Sequence, residues 1–268
     1  MAAPAIIPFV MGAMGTIAFE NVSKTFSGQT EVRALEGISL SIDEGEFVAL
    51  LGPSGCGKST LLNLLAGFEK TTEGVLLFDG KTVTRPGPDR GVVFQEAALF
   101  PWLNVWQNVI FGPQVQGIAR AEYEARAREL LKLVGLEAFA EALPVQLSGG
   151  MRQRVGIARV LAMSPRALLM DEPFGALDAQ TRLSMQQLLL DVWQALNTTV
   201  LFVTHDIDEA ILLSDRICVM SARPGRIMRT IPIALPRPRS IASLTSPEFV
   251  AYKAAIMSDM KVTHAPQA

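Results

Sequence analysis

The stretch "EFVALLGPSGCGKSTLLNLLAGF", Glu46–Phe68, runs from an unbroken apolar segment through a glycine-rich turn into a helical pattern. Its middle, "GPSGCGKST" from Gly52 to Thr60, fits G-x-x-x-x-G-K-[ST] in full, in the strand-then-helix setting that the pattern requires. Gly52, Gly55 and Gly57 let backbone N–H groups around Ser54 and Cys56 turn inward on phosphates. The start of the helix adds partial positive charge. Lys58 then reaches the β- and γ-phosphates of a nucleotide, and the Ser59 hydroxyl, beside Thr60, can ligate Mg²⁺. A glycine turn with a chance lysine would lack the flanking strand and helix. The buried strand, tight loop and helix open an α/β sheet.

Three more apolar runs read as strands of that sheet: "GVVFQ", "RALLMDEP" and "TVLFVTH". The second ends in Asp171 and Glu172, at the carboxyl edge where α/β folds bind ligands. Paired acids are usually solvated surface, but an apolar sheet tolerates them at a strand end only when a cation or hydrogen bonds compensate. Asp171 is therefore assigned to Mg²⁺, and Glu172 to accepting a proton from the attacking water. His205 ends the third run and is assigned a γ-phosphate contact; the other histidine, His264, lies in the tail and is assigned none. Gln95 ends the first run, a neutral side chain able to touch Mg²⁺ or the water.

The 268 residues suffice for one large domain with an inserted lobe. A net charge of −2 argues against a sequence-independent grip on nucleic acid. The 49% hydrophobic content and mean hydropathy of +0.30 imply a large core or an apolar docking face. Two cysteines without metal-ligand spacing, Cys56 and Cys218, suit a reducing cytosol. The uncharged opening "MAAPAIIPFVMGAMG" lacks a basic start, contains Pro4 and Pro8, and falls short of the roughly 20 unbroken apolar residues of a spanning helix. Residues 1–13 are expected to form a disordered extension before a start at Met14. Any membrane role has to come from a partner.

Strand-like alternation in "GTIAFENVSKTF" and "EVRALEGISLSID" precedes the phosphate loop. Between "GVVFQ" and "RALLMDEP" the pattern turns helical, an inserted lobe over about 96–150. There "AEYEARARELLKLVGL" places Tyr123, Ala127, Leu130, Leu131 and Val134 on one face and stops at Gly135. The lobe ends in "LSGGMRQR", where Ser148, Gly149 and Gly150 make an N-cap and a bare helix start: an anion site with no lysine of its own. The strip "LPRPRS" reads as a solvated linker, with a short helix, "SPEFVAYKAAIM", in the 236–268 tail.

The phosphate loop, the glutamine after "VVF", "LSGGMRQR", "LLMDEP", "GALD" and "VTHD" occur in the order found in ABC-type ATPase subunits, which this chain resembles from about Ile17 to the proline-rich strip. The resemblance implies an ABC ATPase domain over 14–235, a P-loop NTPase with a RecA-like core, an antiparallel β-subdomain and a helical subdomain. It implies ATP and Mg²⁺ as ligands, and a second copy of the chain as partner. The Ser148–Gly150 signature of one copy would close over nucleotide held by Lys58 of the other, supplying the missing half of an electrostatic cage. Asp178, in "GALD", matches the loop lining that interface, and Gly175 stands where serine is frequent. Phe26 matches the aromatic residue stacking on adenine, usually a tyrosine; a core phenylalanine is the alternative.

In importers of this family the inserted lobe receives a coupling helix of the membrane subunit, which suits the aromatic-rich "EAALFPWLNVWQNVIFG" with Trp102, Leu103, Trp106 and Phe111. The run from Arg85 to Gly112 is most similar to the branch importing nitrate, aliphatic sulfonates and taurine. That branch implies integral membrane permease subunits, a periplasmic or lipid-anchored solute-binding protein, and a peripheral place on the cytoplasmic face of the bacterial inner membrane. A soluble ABC ATPase, such as the iron–sulfur assembly type, shares the core motifs and remains the alternative. Repair types need a coiled-coil insertion for which this chain has no room, and translation types usually carry two cassettes.

Overall fold

The computed structural model describes residues 17–28, 30–196 and 198–263; the opening segment and His264 lie outside them. Two sheets and their helices enclose two cores. A six-stranded sheet runs in the order β10 (Ile227–Pro232), β9 (Arg216–Met220), β3 (Phe47–Leu51), β8 (Thr199–Thr204), β7 (Ala167–Asp171), β6 (Arg90–Val93). All its pairings are parallel except β10 with β9. Strand β3 shows why its run is unbroken: Phe47, Ala49 and Leu51 join the core on one face, Val48 and Leu50 that on the other. Both faces are covered, so alternation disappears.

On the second face, helix α1 (Lys58–Ala66) lays Leu61, Leu62, Leu64 and Leu65 between that sheet and a four-stranded antiparallel sheet. The latter is ordered β2 (Val32–Ile42), β1 (Ile17–Phe26), β4 (Glu73–Phe78), β5 (Lys81–Thr82). Strands β4 and β5 come from "EGVLLFDGKT", a segment without a strand assignment in the sequence reading. Gly74, at φ +77°, lets β4 pass so close to β1 that an added Cβ would sit 2.3 Å from the Asn21 carbonyl oxygen.

The inserted segment holds α2 (Val105–Val115) and α3 (Arg120–Leu133), and α4 (Gly149–Leu161) starts at its end. The expected face of α3 is buried at Ala127, Leu130, Leu131 and the following Val134, and Gly135 stops it at φ +69°. Helix α5 (Ala179–Leu196) follows β7, and α6 (Ile207–Leu213) follows β8.

The tail departs from expectation. "LPRPRS" is a clamp rather than a solvated linker. Arg237 stacks on Trp193 at 3.9 Å and donates to Asp215. Arg239, only 4% exposed, donates to the carbonyls of Ile211 and Ser214 at 3.1 and 2.6 Å, and to Ile233 and Leu235 at 3.0 and 3.1 Å. It fills the carbonyl-rich C-terminus of α6, where a cation is favoured. Burial and the neighbouring Arg237 bring its pKa down to about 10, still charged at neutral pH. Beyond it, α7 (Pro247–Thr263) is longer than the short helix expected and ties back to α6 through Lys253 and Asp208 at 2.7 Å.

Candidate functional site

The phosphate loop sits at the carboxyl edge of β3. Gly57, at φ +100°, ends the loop so tightly against β2 that an added Cβ would come 2.6 Å from Leu35 Cδ2. Lys58 is buried, and its Nζ donates to the carbonyls of Gly52 and Pro53 at 2.8 and 3.0 Å. These hold the ammonium across the mouth of the loop. Ser59 Oγ donates to Asp171 Oδ1 at 3.0 Å, so hydroxyl and carboxylate lie side by side. Burial raises the Asp171 pKa, with Glu172 adding to the rise and the Ser59 hydrogen bond and Lys58 opposing it. A partly desolvated carboxylate beside a hydroxyl is a donor set that suits a hard divalent cation otherwise held by phosphates and water.

Glu172 follows β7 in a left-handed backbone conformation, φ +44°, which a side-chain-bearing residue rarely adopts. Its N–H donates to Val203 O at 3.0 Å, anchoring the turn on β8. The carboxylate thereby lies 4.0 Å from Lys58 Nζ and 3.0 Å from His205 Nδ1. With Nδ1 the donor to Glu172, the opposite ring nitrogen is free to face substrate. Gln95 lies two residues beyond β6, on an exposed loop, and a Cβ added at Gly175 would come 3.2 Å from its amide nitrogen. The glycine in the place of the family's frequent serine therefore leaves room for Gln95. Lys58, Ser59, Asp171, Glu172, His205 and Gln95 gather at one edge.

The signature gathers elsewhere. Ser148 caps α4 by accepting from Met151 N–H at 3.2 Å. Gly149 adjoins Leu177, and a Cβ on Gly150 would meet Thr181 Cγ2 at 2.4 Å, so this helix start lies against the Asp178 loop. Asp178 accepts from Thr181 N–H at 3.0 Å, which holds its carboxyl below the usual carboxylate range. Phe26 is 39% exposed with Lys24 Nζ 4.7 Å over its ring, which removes the core alternative.

In the inserted segment Trp102 is 73% exposed, Leu103 is half-buried, and Trp106 packs against the core under Arg128. Phe100 joins Trp102 and Phe111 at 5.7 and 4.6 Å. Sequence reasoning missed what shapes this surface. Buried Asn108 accepts from Phe100 N–H and donates to the carbonyls of Phe100, Leu103 and Asn104, folding the loop that presents Trp102. It also missed Gln153 and Arg159 of α4, which donate to the carbonyls of Phe94, Ala97 and Ala98 around Gln95. Gln153 stands inside the quoted "LSGGMRQR" run, which was a signal for it, whereas Arg159 is an ordinary helix residue with no motif to single it out.

Cys56 lies inside the phosphate loop. Its side chain is 1% exposed, tucked under the loop, and burial pushes the thiol pKa up. The expected result is iodoacetamide labelling of the native protein at neutral pH at least about tenfold slower than of an unfolded control, read by intact mass. Equal rates would show that the loop opens freely.

Fold and site together define a phosphate-loop nucleotide hydrolase. Residues 35–175 match the family model described as ABC transporter. The chain is 49% identical over 225 residues to the taurine import ATP-binding protein TauB of Pseudomonas aeruginosa, covering 84% of this chain and 86% of that one. It is 53% identical over 237 residues to a putative ATP-binding protein of Brucella abortus, covering 88% and 90%. Among solved structures, a dimeric post-hydrolysis ATP-binding cassette bound to ADP and Pi superposes with a TM-score of 0.71 at 37% identity, over 82% of this chain and all of that one. The chain belongs to the ABC transporter family, as an ATP-hydrolysing, ATP-binding subunit of a transporter.

Proposed function

We propose that this chain powers import of a small anion of the taurine, aliphatic sulfonate or nitrate kind, as a head-to-tail pair on membrane permease subunits. A solute-binding protein outside the membrane would deliver the solute. Among the described residues no helix is long and apolar enough to cross a membrane. The pair would be held at the cytoplasmic face of the bacterial inner membrane by docking through Trp102, Leu103 and Trp106. The likeness to taurine import subunits supports the solute class.

One observation carries the hydrolytic part: the Glu172 carboxylate poised between Lys58 Nζ and His205 Nδ1 at the mouth of the phosphate loop. Loop N–H groups and Lys58 bind the β- and γ-phosphates, and Phe26 stacks on the base. Ser59, Asp171 and Gln95 would hold Mg²⁺, which when bound neutralises phosphate charge. Glu172 takes a proton from water aligned on the γ-phosphate, and His205 holds Glu172 while its free nitrogen meets the phosphate oxygen. Ser148–Gly150 of the partner copy complete the cage, with Asp178 at the interface. ATP closes the pair and hydrolysis releases it, moving the permease between two states.

Uptake of labelled taurine, an alkanesulfonate and nitrate by cells lacking this chain tests the proposal. Wild-type chain should restore uptake of one of them. Trp102→Asp should keep ATPase activity in the purified protein yet restore less than about a tenth of uptake, since a charge at the centre of an apolar contact is strongly penalised. Unimpaired uptake in that variant would remove the docking assignment.

A further inference from the structure

Behind the Glu172–His205 pair lies a polar cluster that the hydrolytic chemistry does not use. Glu209, on the first turn of α6, stands three residues after the Asp206 cap, a position from which an acidic side chain ordinarily reaches back to the cap's backbone N–H. Instead it is buried. It accepts from Thr204 Oγ1 at 2.6 Å and from Gln186 Nε2 at 3.1 Å. A buried carboxylate demands compensation, and two neutral donors supply only part of it. The remaining partner is Arg182, whose Nε stops 3.9 Å from Glu209 Oε1.

That gap is informative because Arg182 Nε is itself buried and, among the described residues, has no hydrogen-bond partner. A buried guanidinium donor and a buried carboxylate thus face one another just beyond bonding distance. The rest of Arg182 is engaged: Nη2 donates to Leu177 O at 3.1 Å, and Nη1 lies 3.9 Å from Asp206 Oδ2. The guanidinium therefore spans from the Leu177–Asp178 loop to the residues flanking His205. Thr204, which donates to Glu209, immediately precedes His205, and its Oγ1 accepts from Asp206 N–H at 3.0 Å. A cavity of about 10 Å³ between the clusters is lined by Glu172, Gly175, Arg182, Thr204, His205, Asp206 and Glu209. That is room for one water or for a sub-ångström advance of the arginine.

We propose that Arg182 and Glu209 are a positioning pair: docking of a second copy on the Leu177–Asp178 loop closes the Arg182–Glu209 contact and thereby holds His205 against Glu172. This rests on the two-copy reading of the site. Neither residue touches nucleotide. Their effect is on the geometry of the hydrolytic pair, so turnover depends on them and ATP capture does not.

The test is a double-mutant cycle of Arg182→Met and Glu209→Gln. Each single variant should lower kcat about tenfold with KM within about twofold of wild type, and the double variant should be no worse than the poorer single one. Glu209→Gln keeps the volume of the site but can accept only one of the two hydrogen bonds from Thr204 and Gln186, and melting temperatures with and without ATP separate loss of fold from loss of positioning. Multiplying losses, or unchanged kcat in Glu209→Gln, would overturn the proposal. A second arm uses mixed pairs of a Lys58→Ala copy with a Ser148→Arg copy. Arg182→Met should cost activity when carried by the copy with intact Lys58, and an equal loss from either copy would overturn the proposal. Inactive mixed pairs would refute the two-copy reading instead, while the cycle in the homogeneous protein still decides whether the pair is coupled.

Discussion

Glu172→Gln should bind ATP at least as tightly as wild type, remain as a closed pair, and hydrolyse two to four orders of magnitude more slowly, about the contribution of a positioned general base. The amide matches the carboxylate in size, so the left-handed turn and the anchor to Val203 persist. What disappears is a charge that lies 4.0 Å from Lys58 Nζ, at the mouth of the phosphate loop. Its removal frees the ammonium for the nucleotide and relieves repulsion against a triphosphate, both of which favour binding. The same change deprives water of its proton acceptor. Single-turnover phosphate release combined with size-exclusion chromatography in ATP separates the two effects. Normal turnover would take Glu172 out of the proton-accepting role.

Homogeneous Lys58→Ala and Ser148→Arg proteins should each lose at least about a hundredfold in ATPase activity, because each breaks both shared sites. Mixed in equal amounts, they should recover about a quarter of wild-type rate, since half the pairs are mixed and each carries one intact site. In such a pair the intact Lys58 of one copy faces the intact Ser148 of the other. The arginine at position 148 removes the helix cap accepted from Met151 and fills the space where the γ-phosphate of a partner would lie. Activity in the homogeneous Ser148→Arg protein would falsify the shared-site arrangement.

The chemistry-bearing strand ends were legible because burial on both faces writes itself as unbroken apolar runs, as at Phe47–Leu51 and Ala167–Asp171, and polar residues that end such runs stand out. The phosphate loop was legible because its glycines are demanded by geometry. Three things were hidden, for different reasons. β4 pairs with β1 in the same sheet, but its first three residues are all exposed and only Leu76 and Phe78 are buried, so "EGVLLF" lacks the full alternation of a half-exposed strand. Arg237 and Arg239 look solvated in sequence, because nothing in one dimension shows that carbonyl oxygens of α6 will surround a guanidinium. Glu209 and Arg182 are separated by 27 positions, and only folding sets them face to face. Local patterns encode which backbone is buried, while partnerships between distant polar groups emerge from the tertiary arrangement.

The buried guanidinium of Arg239 also bears on where this polypeptide can be shortened. A chain cut after Leu235 would forfeit the peg that seals the end of α6, along with the stacking of Arg237 on Trp193 and the apolar underside contributed by Phe249 and Ile256. The loosened element would be the one that begins directly after His205. Residues 236–263 are thus a keystone for the catalytic edge, though they lie far from it along the chain.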